Sequence, residues 1–309
     1  MPPHSHGAQL LYKEVKIAAI INPVSGAGAD TAVAGRRIAM LRAELERRGL
    51  TAAIDLTTSA GHAKQLTAAA VHDGADVVIV WGGDGTVNEA GSALLNTRSA
   101  LGLVPAGSGN GLAGALAMTR DSAAAIGVAL DGRTRAIDAG LIGDRPFFNI
   151  GGIGFDARVA KLFNLRARGS RGGWPYFSIG IREGCRYAAE EYDLQLDGEP
   201  RRLRALLISF ANGREYGMGA RIAPQAELDD GILDATIVEE RPILARFWHA
   251  RHLAFGTAHL APHVLVRRVR HASVESTGPL EYHVDGEPGI AHGKLEVKVL
   301  PRALNVRVA

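Results

Sequence analysis

The sequence lacks the features that mark secreted and membrane-spanning chains. Cys185 is the single cysteine among 309 residues, so no disulfide can form within the chain and a reducing compartment is favoured. The first residues show neither a signal peptide nor an apolar anchor, and residues 1–13 are expected to be disordered. The uncharged stretch 99–118 contains five glycines, a proline and an asparagine, which argues against a membrane span. Any contact with a membrane would therefore be peripheral.

The charge of the chain is nearly balanced. Lys and Arg together number 35 and Asp and Glu 32, and the net charge of +3 is too small to indicate a nucleic-acid partner. Arginine clusters at 166–171, 201–204 and 267–270 could meet an anionic membrane, but solvated strand edges explain them equally well. With 47% apolar residues the chain can bury two cores, and its length favours two domains.

Apolar strands and helical segments alternate through the first 138 residues. The predicted strands are 15–21, 51–57, 75–81 and 101–105. The predicted helices include 30–48, 61–72, one that follows Gly111 and reaches Met118, and 122–130. This alternation predicts a parallel sheet with helices on both faces, in which ligands bind at the carboxyl ends of the strands. Glycine-rich turns follow Ile21, Val80 and Val104, so one glycine-rich rim is expected at that edge.

The stretch 77–89 combines a strand, a glycine turn and a helix start. A β-branched apolar run leads into Gly82–Gly85, and Thr86 is predicted to cap a helix with Glu89 three residues later. The free N–H groups of such a turn, together with the helix dipole, favour an anion. Asp84 within the turn would repel a bare phosphate, so it indicates a metal ion carried by that phosphate.

Two common phosphate motifs contribute little. The Walker tripeptide Gly-Lys-Ser/Thr is absent from the sequence. The pattern G-x-G-x-x-G occurs at Gly109, Gly111 and Gly114, but in the fourth strand–helix unit of a chain with 38 glycines. We treat this match as a weak indication of dinucleotide binding.

After residue 138 the pattern changes to short alternating runs. Residues 147–156 are predicted to be strand-like and 174–187 helical, and the remaining runs predict an antiparallel sandwich. The predicted later strands are 192–196, 203–210, 232–238, 264–269, 272–275, 282–284, 295–299 and 304–308. The acidic stretches 227–234 and 284–288 are, on residue chemistry alone, better explained as turns than as functional sites.

The stretch Gly82–Glu89 closely resembles the GGDGT(I/V)NE signature of the diacylglycerol kinase catalytic family, which includes soluble bacterial lipid kinases and the sphingosine and ceramide kinases. Further matches follow in the expected order along the chain: Asn22-Pro23-x-Ser25-Gly26, Thr57 with Gly61-His62-Ala63, Pro105–Asn110, Asn212-Gly213 with 224–234, and Asp285–Pro288. Five matches in this order make coincidence untenable.

The resemblance implies a fold of two parts. An N-terminal α/β domain with a phosphofructokinase/NAD kinase-like parallel sheet would span 14–138 and bind the nucleotide. A C-terminal antiparallel β-sandwich domain would span 139–309 and bind the lipid, with its last residues able to return to the first domain. The site would lie in the cleft between them.

The resemblance also implies roles for particular residues. Asp84 would organise the Mg²⁺ of Mg·ATP, and Glu287 would be the general base for the lipid hydroxyl. A second, structural Mg²⁺ would sit at Asp230 with the carbonyls of Glu227 and Ile232. The residues implied around the nucleotide are Asn22, Thr57, Gly82, Gly83, Asp84, Gly85, Thr86, Val87, Asn88, Glu89, Gly107 and Ser108.

One departure from the family pattern leaves the acceptor open. Many bacterial members read N-D-F-A-R after the fourth turn, whereas here Asn110 is followed by Gly111–Gly114, closer to the sphingoid and ceramide branch. Diacylglycerol, a sphingoid base and a related lipid all remain candidates. A kinase of the same fold acting on a soluble acceptor such as NAD, and a non-catalytic nucleotide- or lipid-binding protein, are the alternatives.

The expected partners are ATP and a lipid alcohol, with peripheral membrane contact and without nucleic acid. The expected location is the cytoplasm, at the inner face of the membrane, and a homodimer stays open. Phosphoryl transfer requires positioning, charge neutralisation and a proton acceptor, and Asp84 and Glu287 lie far apart in sequence. Domain closure would therefore assemble the site when both substrates are bound.

Overall fold

A computed structural model describes residues 15–26, 31–166, 187–215, 221–240, 242, 257 and 261–309. The helix predicted at 174–187 falls outside these residues except for Tyr187. Among the helices of the described ranges, none is both long enough and apolar enough to cross a membrane.

The first half of the chain forms a parallel sheet with helices on both faces. Its strands are β1 (Ile17–Ile21), β2 (Ala52–Leu56), β3 (Val77–Gly82) and β4 (Ala100–Pro105), in the order β4-β3-β1-β2. Its helices are α1 (Thr31–Glu46), α2 (His62–His72), α3 (Asp84–Leu94), α4 (Gly111–Ala115) and α5 (Ser122–Asp131). The central strands β1 and β3 are buried along their whole length, as their continuous apolar runs require.

Alternate residues of β1 enter two different cores. Ile17 and Ile21 pack with residues of α1 and α5, whereas Ala18 and Ile20 pack with residues of α2 and α3. This alternation follows from the two-residue period of a strand. It places helices on both faces of the sheet and leaves the carboxyl ends of the strands as one open edge.

The second half is antiparallel apart from one helix. Its elements are β5 (Arg133–Ile142), β6 (Arg145–Phe147), β7 (Ile150–Gly154), α6 (Phe155–Arg166), β8 (Glu190–Leu196), β9 (Glu199–Ala211), β10 (Leu233–Glu239), β11 (Val264–Val269), β12 (His271–Val284) and β13 (Glu287–Val308). Buried side chains of β7, β8, β9, β10, β12 and β13 share a core around Phe147, Tyr192 and Phe210.

The last strand, β13, joins the two halves. It pairs antiparallel with β12 and β5, and its residues Asn305 and Val306 pair parallel with Ala100 and Leu101 of β4. One hydrogen-bonded path therefore runs β11-β10-β9-β7-β12-β13-β4-β3-β1-β2 through the described residues. The pairing with β5 changes register between Leu300, which pairs with Ala139, and Leu304, which pairs with Ile137.

Three features differ from the sequence-based expectation. The runs predicted at 272–275 and 282–284 belong to one strand, β12, with an irregularity between Glu275 and Pro279, and those predicted at 295–299 and 304–308 both belong to β13. The strand predicted at 147–156 ends at Gly154, whose φ of 92° turns the chain into the unpredicted helix α6. The helix predicted to reach residue 118 ends at Ala115.

Candidate active site

The glycine turn after β3 forms the centre of the site. Strand β3 ends at Gly82, Gly83 precedes the helix in extended conformation, and α3 begins at Asp84. The prediction that Thr86 caps this helix is wrong, because Thr86 lies inside the first turn and the helix has no side-chain cap. A Cβ on Gly82 would lie 2.6 Å from the Thr86 Cβ, so this close approach requires glycine.

Turn one, after β1, is tied to the central turn through Asn22. The Asn22 Nδ2 donates to Thr86 Oγ1 at 2.8 Å, so the Thr86 hydroxyl joins the start of α3 to turn one. Arg37 of α1 donates to the Asn22 carbonyl at 2.5 Å and to the Ser25 hydroxyl at 2.9 Å. Its guanidinium also lies 5.6 Å from the centroid of the Trp81 ring, and burial lowers the pKa of Arg37.

Turn two, after β2, is held by Glu89 of α3. The Glu89 carboxylate accepts hydrogen bonds from the backbone N–H groups of Gly61 at 2.7 Å and Ala63 at 3.1 Å. Thr57 is buried, and its N–H donates at 3.0 Å to the carbonyl of Ile21, the last residue of β1. Glu89, predicted from the signature motif, thus joins α3 to the start of α2.

Turn four, after β4, is held by Asp84. Its Oδ1 accepts from the N–H of Gly111 at 2.6 Å and its Oδ2 from the N–H of Asn110 at 2.8 Å. A Cβ on Gly107 would lie 2.8 Å from the Gly83 Cα, so the two glycine turns are in direct contact. Burial raises the pKa of Asp84, and the two backbone hydrogen bonds oppose that shift.

Ser108 lies at the exposed tip of turn four. Beside it, the Asn110 side chain closes the turn, accepting from the N–H of Gly107 at 2.8 Å and donating to the Gly107 carbonyl at 2.7 Å. The predicted rim of glycine turns is therefore a hydrogen-bonded unit in which α3 contacts all three neighbouring turns.

A turn from the far end of the chain completes the site. Asp285 and Gly286, at φ of 48° and 86°, form a two-residue hairpin turn between β12 and β13. The Asp285 carboxylate accepts from Asn88 Nδ2 at 2.9 Å and from the backbone N–H groups of residues 148, 149 and 150 at 2.9, 2.9 and 3.1 Å. Burial raises the pKa of Asp285, and its four N–H donors oppose that shift.

Glu287, the next residue but one, lies against the glycine turn. A Cβ on Gly85 would be 2.8 Å from Glu287 Oε1, and the Glu287 side chain is exposed. Gly85 immediately follows Asp84, so the structure brings the two predicted acidic residues to the same end of α3 although 202 positions separate Asp84 from Glu287 in the sequence. Exposure and proximity to the glycine turn are what a base acting on a bound substrate requires.

The predicted structural metal site lies in the turn before β10. The N–H of Ile232 donates to Asp230 Oδ1 at 3.1 Å, and the other oxygen of Asp230 pairs with Arg268. Buried Asp138 fixes the same turn by accepting from the N–H of Gly231 at 2.6 Å. In the part of the chain that is described, no three His, Cys, Asp or Glu residues converge as metal ligands. Asp230 with Glu227 and Ile232 stays a prediction.

Sequence reasoning missed two residues that organise the site. Arg37 lies on α1, 15 positions after Asn22, and no local motif signals its contact with turn one. Asp285 was noted only as turn chemistry, and it is a turn residue, but its carboxylate also joins α3 to the start of β7. The motif D-G-E-P was the available signal, because it places a second carboxylate, Asp285, two residues before Glu287.

Two family models span nearly the whole chain. The model of the diacylglycerol kinase catalytic domain matches residues 16–142, and that of the YegS C-terminal NAD kinase beta sandwich-like domain matches residues 150–308. The chain belongs to the diacylglycerol kinase family of lipid kinases. Its predicted fold, an α/β domain followed by a β-sandwich domain, is confirmed, and the protein is a phosphotransferase that acts on an alcohol group.

Individual relatives of this lipid kinase cover most of its length. "Diacylglycerol kinase" from Mycobacterium tuberculosis (strain ATCC 25618 / H37Rv) is 34% identical over 301 residues, 94% of each chain. "Probable lipid kinase YegS-like" from Chromohalobacter salexigens is 30% identical over 256 residues, 82% of each chain. A crystal structure of a diacylglycerol kinase from Bacillus anthracis str. Sterne gives a TM-score of 0.70 at 19% identity, covering 96% of this chain and 98% of that one, which is evidence for the fold alone.

Proposed function

We propose that this lipid kinase transfers the γ-phosphate of ATP to the hydroxyl of a lipid alcohol at the rim where α3 meets the Asp285–Glu287 turn. The observation that carries the proposal is the contact between Glu287 and the glycine turn, where a Cβ on Gly85 would lie 2.8 Å from Glu287 Oε1. This contact places the Glu287 carboxylate beside a glycine turn of the kind that binds phosphate. Relatives are described as diacylglycerol kinase and lipid kinase, which supports the same assignment.

The glycine turns form the nucleotide side of the site. Gly83 and Gly107 approach within contact distance of each other, so the two glycine turns meet backbone to backbone. Free backbone N–H groups in turns of this kind favour an anion such as a phosphate. The nucleotide contacts are assigned to Asn22, Thr57, Gly82, Gly83, Gly85, Thr86, Val87, Asn88, Glu89, Gly107 and Ser108, as in the family motif.

Asp84 fits a role beside the Mg²⁺ of Mg·ATP. Each of its oxygens accepts one backbone N–H, from Gly111 and Asn110, and a carboxylate oxygen has a second lone pair. Mg²⁺ held there with ATP would neutralise charge on the phosphates. Asp84 itself supplies a negative group whose direction is fixed by turn four.

Glu287 is assigned as the general base. The lipid oxygen forms a bond to the γ-phosphorus while the bond to the β-phosphate bridging oxygen breaks, and the hydroxyl proton passes to the Glu287 carboxylate. Glu287 is exposed to solvent, so the hydroxyl of a lipid can reach its carboxylate. Asp285 fixes the turn from which Glu287 projects.

The acceptor is tested by offering several alcohols at once. Purified protein would receive γ-labelled ATP and Mg²⁺ with diacylglycerol, sphingosine, ceramide, phosphatidylglycerol or undecaprenol in mixed micelles, and NAD as the soluble alternative. Products would be separated by thin-layer chromatography. We expect label in one lipid class; label in NAD alone would contradict a lipid acceptor.

The base is tested with Glu287→Gln, which keeps the size of the side chain but cannot accept the proton. We expect kcat to fall by about 100-fold or more while KM for ATP stays within about threefold. Glu199→Gln, at an exposed position where β9 begins, is the matched control and should keep the wild-type rate. A wild-type rate for Glu287→Gln would refute the assignment.

Membrane contact, the structural metal and a homodimer belong to the same proposal. A lipid acceptor resides in a bilayer, and exposed Arg201 and Arg267 on β9 and β11 could meet anionic headgroups. Cosedimentation with phosphatidylglycerol vesicles tests the membrane contact, and light scattering tests the dimer.

Mg²⁺ at Asp230 would have to replace Arg268, so a Mg²⁺-dependent rise in Tm that Asp230→Asn abolishes would support that site.

A further inference from the structure

A buried imidazole–carboxylate pair lies directly behind the turn that carries Glu287. His283 of β12 is 3% exposed and Asp156 of α6 is 6% exposed. His283 Nε2 lies 3.3 Å from Asp156 Oδ2. Neither residue belongs to the glycine rim, and neither was singled out by sequence.

The hydrogen bonds of the pair fix the tautomer of the imidazole. The N–H of Gly286 donates to His283 Nδ1 at 3.2 Å, so Nδ1 carries the lone pair in this arrangement. The proton is therefore on Nε2, which donates to Asp156 Oδ2. Asp156 Oδ1 in turn accepts from the N–H of Ala157 at 2.9 Å, which anchors the carboxylate to the first turn of α6.

The neighbouring strand leaves space for this pair. Gly152 of β7 lies opposite His283 in the sheet, and a Cβ on Gly152 would be 1.9 Å from Asp156 Oδ2 and 2.9 Å from His283 Nε2. Any larger residue at this position would displace the carboxylate from the imidazole. The pair is therefore buried, and it fits only because the facing residue on β7 is a glycine.

The turn is consequently held on both sides of its tip. Asp285 bonds to α3 and β7 through its side chain, and Gly286 bonds to His283 through its backbone. Glu287 is the next residue. The N–H···N bond at Gly286 orients the Asp285–Gly286 peptide, one residue before Glu287. A shift of about 1 Å in a catalytic group can cost about 100-fold in rate.

We propose that His283, oriented by Asp156, is a positioning residue that fixes the Gly286 N–H and so aims the Glu287 carboxylate at the acceptor hydroxyl. The inference rests on the proposed function for its catalytic readout. His283 acts through the turn and does not contact the substrate. The alternative is that the pair only fills the space between α6 and β12.

Three substitutions separate these roles. In His283→Asn the amide oxygen can take the place of Nδ1 and accept from Gly286, but contact with Asp156 is lost. In His283→Gln the amide nitrogen can take the place of Nε2 and reach Asp156, but the acceptor for Gly286 is lost. His283→Leu removes both. His292→Leu, at an exposed position on β13, is the matched control.

The measurements are kcat and KM on the full chain with ATP, Mg²⁺ and diacylglycerol in mixed micelles, or with the panel lipid that the wild-type protein labels best. We expect kcat to fall by about 10- to 100-fold in the Gln and Leu variants with KM for ATP unchanged, and by less than about threefold in the Asn variant. Equal losses in all three variants, or losses that follow Tm, would overturn the positioning role.

Amide hydrogen exchange at Gly286 gives a readout that needs no activity. We expect faster exchange at the 285–287 turn in the Gln and Leu variants and near wild-type exchange in the Asn variant. Unchanged exchange in all three variants would refute the proposal. If the wild-type protein labels no lipid, the proposed function fails, and the exchange pattern alone still decides whether His283 holds the turn.

Discussion

At the scale of single residues, the site depends on carboxylates that bind backbone N–H groups. Asp84 holds turn four, Glu89 holds turn two and Asp285 holds the start of β7. Each acidic side chain therefore fixes a loop at the carboxyl edge of the sheet, where loops would otherwise be mobile. A carboxylate suits this role because it accepts several hydrogen bonds at once.

Replacing Asp84 by Asn tests two roles of this carboxylate, in holding turn four and beside the nucleotide. The amide retains one acceptor, and its NH₂ group would face the N–H of Gly111 or Asn110, leaving a donor without an acceptor. We expect a loss of about 1–3 kcal/mol in the free energy of unfolding, measured in urea, together with a loss of phosphoryl transfer of about 100-fold or more.

The control for Asp84→Asn is Asp144→Asn at an exposed turn position. Activity would be measured over a range of Mg²⁺ concentrations at a temperature where both proteins are folded. Full activity in the Asp84 variant at saturating Mg²⁺ would contradict its role beside the nucleotide. Unchanged stability would contradict its role in holding turn four.

Residues in a continuous motif were predictable, and residues that act through tertiary contacts were not. Asp84 and Glu89 stand in one eight-residue signature, and the structure places both at turns of the rim. The capping role expected for Thr86 was wrong because the helix begins two residues earlier, at Asp84, and the Thr86 hydroxyl instead accepts from Asn22, 64 positions earlier. Arg37 and His283 sit within ordinary helix and strand patterns, where nothing local distinguishes a bracing residue from a solvated one.

At the scale of elements, the start of helix α3 is where the two halves of the chain touch. Asn88 donates to Asp285, and Gly85 faces Glu287. The strands and helices of the first half were predicted well because their apolar periods are long and regular. Helix α6 was missed because the glycine-rich sequence before it reads as strand, and the reversal at Gly154 depends on a positive φ.

Gly85→Ala separates the geometry of the site from the stability of α3. Gly85 lies in the first turn of the helix, where alanine is favoured over glycine by about 1 kcal/mol. The added Cβ would meet Glu287 Oε1 at 2.8 Å, the far end of a flexible side chain that can move away at low cost. We expect Tm to stay the same or rise while kcat for phosphoryl transfer falls by about 10-fold or more.

Gly114→Ala in α4 is the matched control for Gly85→Ala. A Cβ at Gly114 would meet no atom within 4 Å, so activity should stay at the wild-type level. Differential scanning fluorimetry and the labelled-ATP assay supply the two measurements. Wild-type kcat in Gly85→Ala would show that the position of Glu287 beside Gly85 does not matter for the reaction.

At the scale of the whole molecule, strand β13 decides whether the halves unfold together. The same strand carries Glu287 at its start, lies against β5 and β12 along its length, and pairs with β4 near its end. A division near residue 138 was predicted from the change in pattern, and it remains a prediction about domains. The sequence shows where the pattern changes, but it does not show that the last strand bonds across that point.

Leu304→Ala tests this coupling. Leu304 is completely buried in the core shared by α2, α3 and β13, and its truncation should lower the free energy of unfolding by about 2–5 kcal/mol. Unfolding in urea would be followed by pulse-labelled hydrogen exchange in peptide 77–94 of the first half and peptide 205–211 of the second. Because β13 is hydrogen-bonded to both halves, we expect the urea midpoints of the two peptides to fall equally. Ile290→Ala, on the same strand but 56% exposed, should change the free energy of unfolding reported by either peptide by no more than about 0.5 kcal/mol. A shift confined to peptide 77–94 would mean that the sandwich unfolds independently of the parallel-sheet half, and that β13 does not couple the two.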